Sequence, residues 1–225
     1  YVRTPFADTS LYHLPAELSE DVAVLLSDAL PTSHEIGVQY GDVQPGDTVA
    51  IVGAGPIGMA ALLTAQLYSP SEIIVADTDQ NRLEMALEMG ATQVVNSATE
   101  NAIERILELT NGRGVDCAIE AVGIPATWDV CQHVVKEGGN IANVGVHGQP
   151  VEFALEKLWI KNLKITTGLV NANTTGMLLK TCCAGKLPLE KMITHHFKFD
   201  ELEHAYKVFK NAADEKAMKV IIDYA

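Results

Sequence analysis

The stretch VAIVGAGPIGMA (Val49–Ala60) starts as a continuous apolar run, passes through three spaced glycines and becomes apolar again. The first part is typical of a parallel strand buried on both faces, and the last part repeats apolar residues at a helical period. Gly53, Gly55 and Gly58 therefore lie between a strand and a helix, the context in which a G-x-G-x-x-G motif binds a dinucleotide. The first glycine allows the tight turn, the second lets the backbone approach a pyrophosphate, and the third lets the helix pack against the strand.

The residues around the glycines support the same interpretation. Pro56 suits the first turn of a helix, and the helix N-terminus that continues through Ile57 offers free N–H groups to phosphates. Asp77 ends the next apolar run, IIVAD, close to the position about 20 residues beyond the glycines where an acid contacts the adenosine ribose. A carboxylate there repels a 2′-phosphate and favours NAD over NADP, although Arg82 could neutralise such a phosphate. The alternative is a glycine turn in another doubly wound fold, without a cofactor.

Strands and helices alternate along most of the chain. Apolar runs predict six strands, over 48–54, 72–78, 92–96, 115–123, 139–146 and 163–170, and a last strand over 218–224. Helical periodicity predicts helices over 57–68, 81–90, 126–135, 175–184 and 201–211, a short one near 155–159, and one that starts at a capping box of Ser97 and Glu100. Because right-handed crossovers place helices on both faces of a parallel sheet, the predicted fold class is α/β, a Rossmann-like doubly wound six-stranded parallel sheet.

The composition limits the classes of partner. The chain has 225 residues, of which 48% are hydrophobic, and a net charge of −13. This acidic balance argues against nucleic-acid binding, which needs a basic face. No apolar run is long enough to cross a membrane and the first residues do not read as a signal peptide, so we expect a cytoplasmic protein without a membrane partner. The four cysteines form no C-x-x-C pair and are expected to be reduced thiols.

Four segments carry a resemblance to a known family. GDVQPGDTVAIVGAGPIGMAALLTAQ (41–66), GATQVVN (90–96), GRGVDCAIEAVG (112–123) and GGNIANVGV (138–146) are similar to the medium-chain, zinc-dependent alcohol dehydrogenases of bacterial type, and the match runs over essentially the whole chain. The resemblance implies three parts: a remnant of the catalytic domain over 1–30, an NAD-binding Rossmann domain over 31–172, and the end of the cofactor domain with a return to the catalytic domain over 173–225.

The resemblance also implies one zinc ligand. In LLSDALPTSHEIG, Asp28 matches the third ligand of the catalytic zinc, which is an aspartate in many bacterial relatives. The family's other ligands are a cysteine and the histidine of a G-H-E motif, but this sequence has no cysteine before Cys117 and no G-H-E. His34 and Glu35 stand in an S-H-E context and read as ordinary helix. Since a catalytic zinc needs about three protein ligands, we expect zinc only in the full-length enzyme.

Further positions are assigned to the cofactor by the resemblance alone. Thr32 matches a threonine that packs against the nicotinamide and is the one predicted catalytic residue, and Lys219 matches a basic residue that reaches the pyrophosphate. The remaining positions match backbone at strand ends beside the ribose and the carboxamide: Val122, Gly123, Val144, Gly145, Val146, Leu169 and Asn171.

The implied activity is NAD-dependent oxidation of a small alcohol to an aldehyde or ketone by hydride transfer in the full-length zinc enzyme. This chain would then be the cofactor-binding part, inactive alone. Relatives pair through the strand matching 163–170, so the resemblance implies a homodimer or homotetramer when the protein is complete. Two alternatives stay open: a free-standing NAD-binding module, and a zinc-free quinone reductase of the same superfamily, against which Asp28 counts.

Overall fold

The structure, a computed structural model, describes residues 2–224, and the predictions that include Tyr1 and Ala225 extend at those two residues beyond the described part. The strands, numbered along the chain, are β1 Thr48–Val52, β2 Glu72–Asp77, β3 Gln93–Asn96, β4 Val115–Glu120, β5 Val135–Asn143, β6 Lys164–Thr167, β7 Ile193–Lys198 and β8 Lys219–Asp223. Six of them form one sheet in the order β3-β2-β1-β4-β5-β6, and all neighbours are parallel. This is the doubly wound order of a Rossmann-like fold, so the predicted fold class is confirmed.

Helices connect these strands and flank the sheet. They are α1 Ala7–Ser10, α2 Glu20–Leu25, α3 Ala29–Thr32, α4 Pro56–Ala65, α5 Gln80–Glu88, α6 Ala102–Leu109, α7 Pro125–Val134, α8 Leu155–Leu158, α9 Thr175–Cys183, α10 Leu202–Lys210 and α11 Ala212–Glu215. The helix that begins with α3 continues as a π-helical segment, Ser33–Gln39. Shorter 3-10 turns lie at Gln66–Tyr68, Trp159–Lys161, Leu189–Met192 and Phe199–Glu201. Among residues 2–224, no helix combines the length and the apolar character that crossing a membrane requires.

The strand β1 is apolar at every buried position because both faces of the sheet are covered. Val49 and Ile51 join a core on one face, which includes Met59 and Leu62 of α4. Ala50 and Val52 join the core on the other face, which includes residues of α6 and α7. Burial of one large aliphatic side chain contributes about 1.5–3 kcal/mol, so this central strand anchors both layers.

Several predicted strands end earlier than expected. The runs over 48–54, 115–123, 139–146 and 163–170 leave the sheet after Val52, Glu120, Asn143 and Thr167. At Gly53 the backbone takes a φ of 108°, which turns the chain away from the strand direction. The apolar residues beyond each strand therefore belong to loops at the carboxyl-terminal edge of the sheet.

One local prediction was wrong, and one strand was missed. The helix predicted to start at a capping box of Ser97 and Glu100 begins at Ala102, because the Asn101 side chain accepts hydrogen bonds from the N–H groups of Ile103 and Glu104. Glu100 instead accepts from the N–H of Asn96. The strand β7 was not predicted at all; it pairs in parallel with β8 as a separate two-stranded sheet.

Candidate cofactor-binding site

The glycine turn after β1 is built by close contacts of its own backbone. A Cβ atom added to Gly58 would lie 1.8 Å from the carbonyl oxygen of Gly53, so this position accepts only glycine without displacement of the backbone. Gly55 differs, because a Cβ there would find nothing nearer than Nη1 of Arg82, at 3.8 Å. The turn is therefore tightly packed at Gly58 and leaves open space beside Gly55. Gly55 lies at the N-terminus of α4, whose first helical residue is Pro56. A phosphate group fits such a place, since helix N-terminal N–H groups and the helix dipole favour an anion.

Asp77 lies at the end of β2 and contacts the same turn. One oxygen of its carboxylate accepts a hydrogen bond from the N–H of Ala54 at 2.6 Å, and the other accepts from the N–H of Asp79 at 2.9 Å. The side chain is half-buried, so it is accessible beside the glycines. The predicted ribose ligand thus also holds the turn in place.

Arg82 adds a positive charge beside Gly55. Its Nε lies 3.7 Å from a carboxylate oxygen of Asp79, and this Nε is buried without a hydrogen-bond partner among the described residues. A buried donor without an acceptor costs about 1–3 kcal/mol, and an anionic ligand nearby would lower that cost. The glycines, Asp77 and Arg82 are therefore brought together, and their surroundings fit a dinucleotide.

A buried carboxylate, which the sequence analysis missed, organises the ends of β4 and β5. Glu120 is fully buried, and its Oε1 accepts from the N–H groups of Val122 and Gly123 at 3.0 and 2.9 Å and from Thr127 Oγ1 at 2.6 Å. Its backbone carbonyl accepts from the N–H groups of Val144 and Gly145. The predicted residues after β4 and β5 are thus neighbours around one glutamate. An acid at the end of the apolar run VDCAIE, in the same place as Asp77 in its own run, was the available signal.

His147 contacts this glutamate from the next loop. Its Nε2 lies 2.8 Å from Oδ1 of Asn143 and 3.4 Å from Oε2 of Glu120. Val146 is 90% exposed and lies beside Gly123, where an added Cβ would come within 2.4 Å of the Val146 carbonyl oxygen. These contacts therefore hold the loop after β5 in place, while the apolar side chain of Val146 is exposed.

A second buried carboxylate holds the loop after β6. Glu35, which the sequence analysis interpreted as ordinary helix, is only 5% exposed. Its Oε2 accepts from the N–H groups of Asn171 and Ala172 at 3.0 and 3.1 Å, and its Oε1 accepts from the N–H and the hydroxyl of Thr174, both at 2.8 Å. No local sequence pattern predicts these contacts, because Asn171, Ala172 and Thr174 lie more than a hundred residues beyond Glu35 in the chain.

These contacts make the stability of the chain depend on pH. Burial alone would raise the pKa of Glu35, but the hydrogen bonds from Thr174, Asn171 and Ala172 outweigh it and lower the pKa below its usual value of 4.5. A carboxyl group whose pKa is lower in the folded chain than in the unfolded chain stabilises the fold at pH values above its unfolded pKa. This contribution disappears as the pH falls through the folded pKa. We therefore expect Glu35→Gln to lose part of the acid sensitivity of the unfolding free energy, measured by urea denaturation from about pH 7 to about pH 3. Identical pH profiles of the two proteins would contradict an ionised Glu35.

The predicted zinc ligand, Asp28, is not among close groups of metal-ligating side chains within the described residues, and its role as a ligand stays a prediction. Asp28 is exposed, and its Oδ1 accepts a hydrogen bond from the hydroxyl of Thr32 at 2.8 Å. Within residues 2–224, the one group of three metal-ligating side chains that lie close together is Asp21, His196 and Asp223, which does not include Asp28. The residues around Asp28 therefore do not complete a catalytic zinc site, which needs about three protein ligands.

The other predicted residues lie in two places. Leu169 and Asn171 lie beyond the end of β6, at the same edge as the loops after β4 and β5. Lys219 begins β8 and lines a groove with Tyr206 and Phe209. The residues just before it, Ala217 and Met218, line a second groove with Asp79 and Arg82. The assignment of Lys219 to the pyrophosphate stays a prediction.

Comparison with known proteins agrees with this geometry. The family model described as zinc-binding dehydrogenase matches residues 56–180. An alcohol dehydrogenase of Cupriavidus necator is 32% identical over 218 residues, which are 95% of this chain and 59% of that protein. An NADP-dependent isopropanol dehydrogenase of Thermoanaerobacter brockii is also 32% identical, over 96% of this chain and 63% of its own length.

A solved structure is more similar still. The zinc dependent alcohol dehydrogenase 2 from Streptococcus pneumonia has 55% sequence identity and a TM-score of 0.94, and the match covers all of this chain and 65% of that one. The chain thus spans roughly three fifths of the length of the relatives it matches. It belongs to the zinc-binding dehydrogenase family and corresponds to the C-terminal, cofactor-binding part of a zinc-type alcohol dehydrogenase.

Proposed function

We propose that this chain binds NAD across the carboxyl-terminal edge of its sheet, as the cofactor part of an NAD-dependent alcohol dehydrogenase. The observation that carries the proposal is the turn at Gly53–Gly58, which is closely packed except beside Gly55, with Asp77 at the end of the adjacent strand. In a doubly wound sheet, a dinucleotide crosses the crevice where the strand order reverses, here between β1 and β4.

The two halves of the sheet would then bind the two halves of the cofactor. The N-terminus of α4 and Arg82 bind the pyrophosphate, and Asp77 accepts hydrogen bonds from the adenosine ribose. The loops after β4, β5 and β6, together with Thr32, orient the nicotinamide. When bound, the nicotinamide accepts the hydride that a small alcohol loses on oxidation to an aldehyde or ketone.

Zinc and turnover are proposed only for a longer protein. Asp28 is the single position that the family resemblance assigns to the metal, and the residues around it supply no further ligand. In this proposal residues 1–30 and 173–225 pack with a catalytic domain, and residues 31–172 form the cofactor domain. The exposed edge strand β6, with Ile165 on its surface, is the proposed contact between two copies.

Calorimetric titration of the chain with NAD and NADP, together with elemental analysis, tests the proposal. NAD is expected to bind, and NADP to bind at least about tenfold more weakly, because a 2′-phosphate would approach the Asp77 carboxylate. Zinc is expected at well below one equivalent per chain. A chain that binds no NAD, or that retains stoichiometric zinc through purification, would rule out this assignment.

A further inference from the structure

We propose that Glu35 is a positioning residue for the nicotinamide half of the cofactor, acting through the loop at 169–174. In this inference, which rests on the function proposed above, Glu35 sets the affinity for the nicotinamide end and leaves the adenosine end unchanged. Glu35 would not touch the cofactor itself, because both of its oxygens are occupied by loop donors.

The loop needs such an anchor because its backbone is strained. Ala172 has a φ of 55°, a left-handed conformation that is unfavourable for an L-residue. The N–H of Ala172 and that of Asn171 donate to the same oxygen of Glu35. Hydrogen bonds to a charged group are stronger than those to a neutral group, so these two bonds help to hold this conformation.

The anchored loop faces the proposed path of the cofactor. Leu169, two residues beyond β6, is 86% exposed. Val146, beyond the neighbouring strand β5, is 90% exposed. Val122, beyond β4, is also exposed. Three successive strands thus end in exposed apolar side chains on the half of the sheet that would bind the second nucleotide. A shift of the loop after β6 would displace Leu169 and alter this surface.

Glu35 also connects the two ends of the proposed site. It lies in the π-helical segment Ser33–Gln39, and such segments are frequent at functional sites. Two residues earlier, the hydroxyl of Ser33 lies 2.8 Å from the carbonyl oxygen of Ile57, in the first turn of α4. One short segment therefore contacts both the helix beside the glycine turn and the loop after β6. This arrangement fixes the distance between the two sites that one dinucleotide would bridge.

The test compares NAD with ADP-ribose, which lacks the nicotinamide ring. Glu35→Gln keeps the shape of the side chain, but its amide group cannot accept the hydrogen bonds that one carboxylate oxygen now receives. We expect this variant to bind NAD about tenfold more weakly than the chain without the substitution. Its affinity for ADP-ribose should stay within about twofold of that of the chain without the substitution. Thr174→Val removes one of the four donors and should weaken NAD binding by a smaller factor, whereas Thr174→Ser should restore it. Glu104→Gln, at an exposed glutamate of α6, is the control for the change in charge.

The outcomes separate this inference from the proposed function. An equal loss of NAD and ADP-ribose in Glu35→Gln would make Glu35 a general structural residue and overturn the inference, as would no loss of either. If Glu35→Gln does not fold, the two Thr174 variants decide by the same comparison. An unchanged chain that binds neither ligand would instead overturn the proposed function, and this inference with it. Faster hydrogen exchange at the amides of Asn171 and Thr174 in Glu35→Gln is the expected independent sign of a released loop.

Discussion

Gly58→Ala is expected to lower the free energy of unfolding by about 3 kcal/mol, the upper part of the range for an overpacked position. The reason is that the new Cβ would lie 1.8 Å from the carbonyl oxygen and 2.8 Å from the carbonyl carbon of Gly53, and backbone atoms cannot rotate away as a side chain can. Urea denaturation followed by circular dichroism measures this loss. Little NAD binding should remain, because the turn and the start of α4 must separate to admit the methyl group.

Gly55→Ala is the matched control, with the same chemical change three residues away. Its Cβ has no neighbour closer than 3.8 Å, and the backbone φ of −71° suits any residue, so stability should change by less than about 0.5 kcal/mol. NAD affinity should nevertheless fall at least about tenfold, because the methyl group occupies the space through which a phosphate approaches the backbone. A Gly55→Ala chain that binds NAD normally would exclude this turn as the phosphate site, and a Gly58→Ala chain of unchanged stability would contradict the packing described above.

Asp77→Asn is expected to reduce the preference for NAD over NADP by about 100-fold, the equivalent of about 2.7 kcal/mol. The amide weakens two hydrogen bonds to the adenosine ribose and removes the charge that repels a 2′-phosphate. Part of the change should come from Arg82, since its guanidinium group lies beside Gly55 and attracts that phosphate once the repulsion from Asp77 is removed. Calorimetric titration of both cofactors gives the ratio directly.

The double variant Asp77→Asn with Arg82→Gln distinguishes the two contributions. It should lose the gain in NADP affinity, and its loss in NAD affinity should be at least as large as that of Asp77→Asn, because Arg82 is also assigned to the pyrophosphate. Because the Asp77 carboxylate also accepts from Ala54 and Asp79, the unfolding free energy of each variant is needed as a control. An equal loss of affinity for both cofactors in Asp77→Asn would indicate that Asp77 stabilises the turn but does not bind the ribose.

The fold was predictable because its signals are local. The apolar run before Gly53, the helical period after it and Asp77 at the end of the next run each lie within a few residues of the feature they predict. The strand β7 gave no such signal: it alternates weakly, includes two histidines and is only partly covered. The start of α6 was mispredicted because Ser97 and Asn101 are both good N-cap residues, and the side chain of Asn101 is the one that accepts from the first helical N–H groups.

The candidate site was predictable only in part. Its glycines and Asp77 follow a known spacing, but the roles of Glu35 and Glu120 depend on which loops the fold places beside them. Glu35 meets Asn171 and Thr174 across 136 and 139 positions of the chain, a distance that no spacing rule covers. Sequence patterns therefore indicated which backbone would face the cofactor, and the structure added the side chains that hold this backbone in place.

The carboxylate of Asp77 also affects which backbone N–H groups remain available to bind an anion. The N–H of Ala54 donates to Asp77, and that of Gly53 donates to the carbonyl of Ala76, so neither is left over. Pro56 has no N–H, and the first amide of α4 to reach an acceptor along the helix is that of Met59. Among residues 2–224, the N–H groups at this turn that have no acceptor are thus those at the very start of α4. A pyrophosphate that settles there would add hydrogen bonds to the protein without breaking any that the protein already makes.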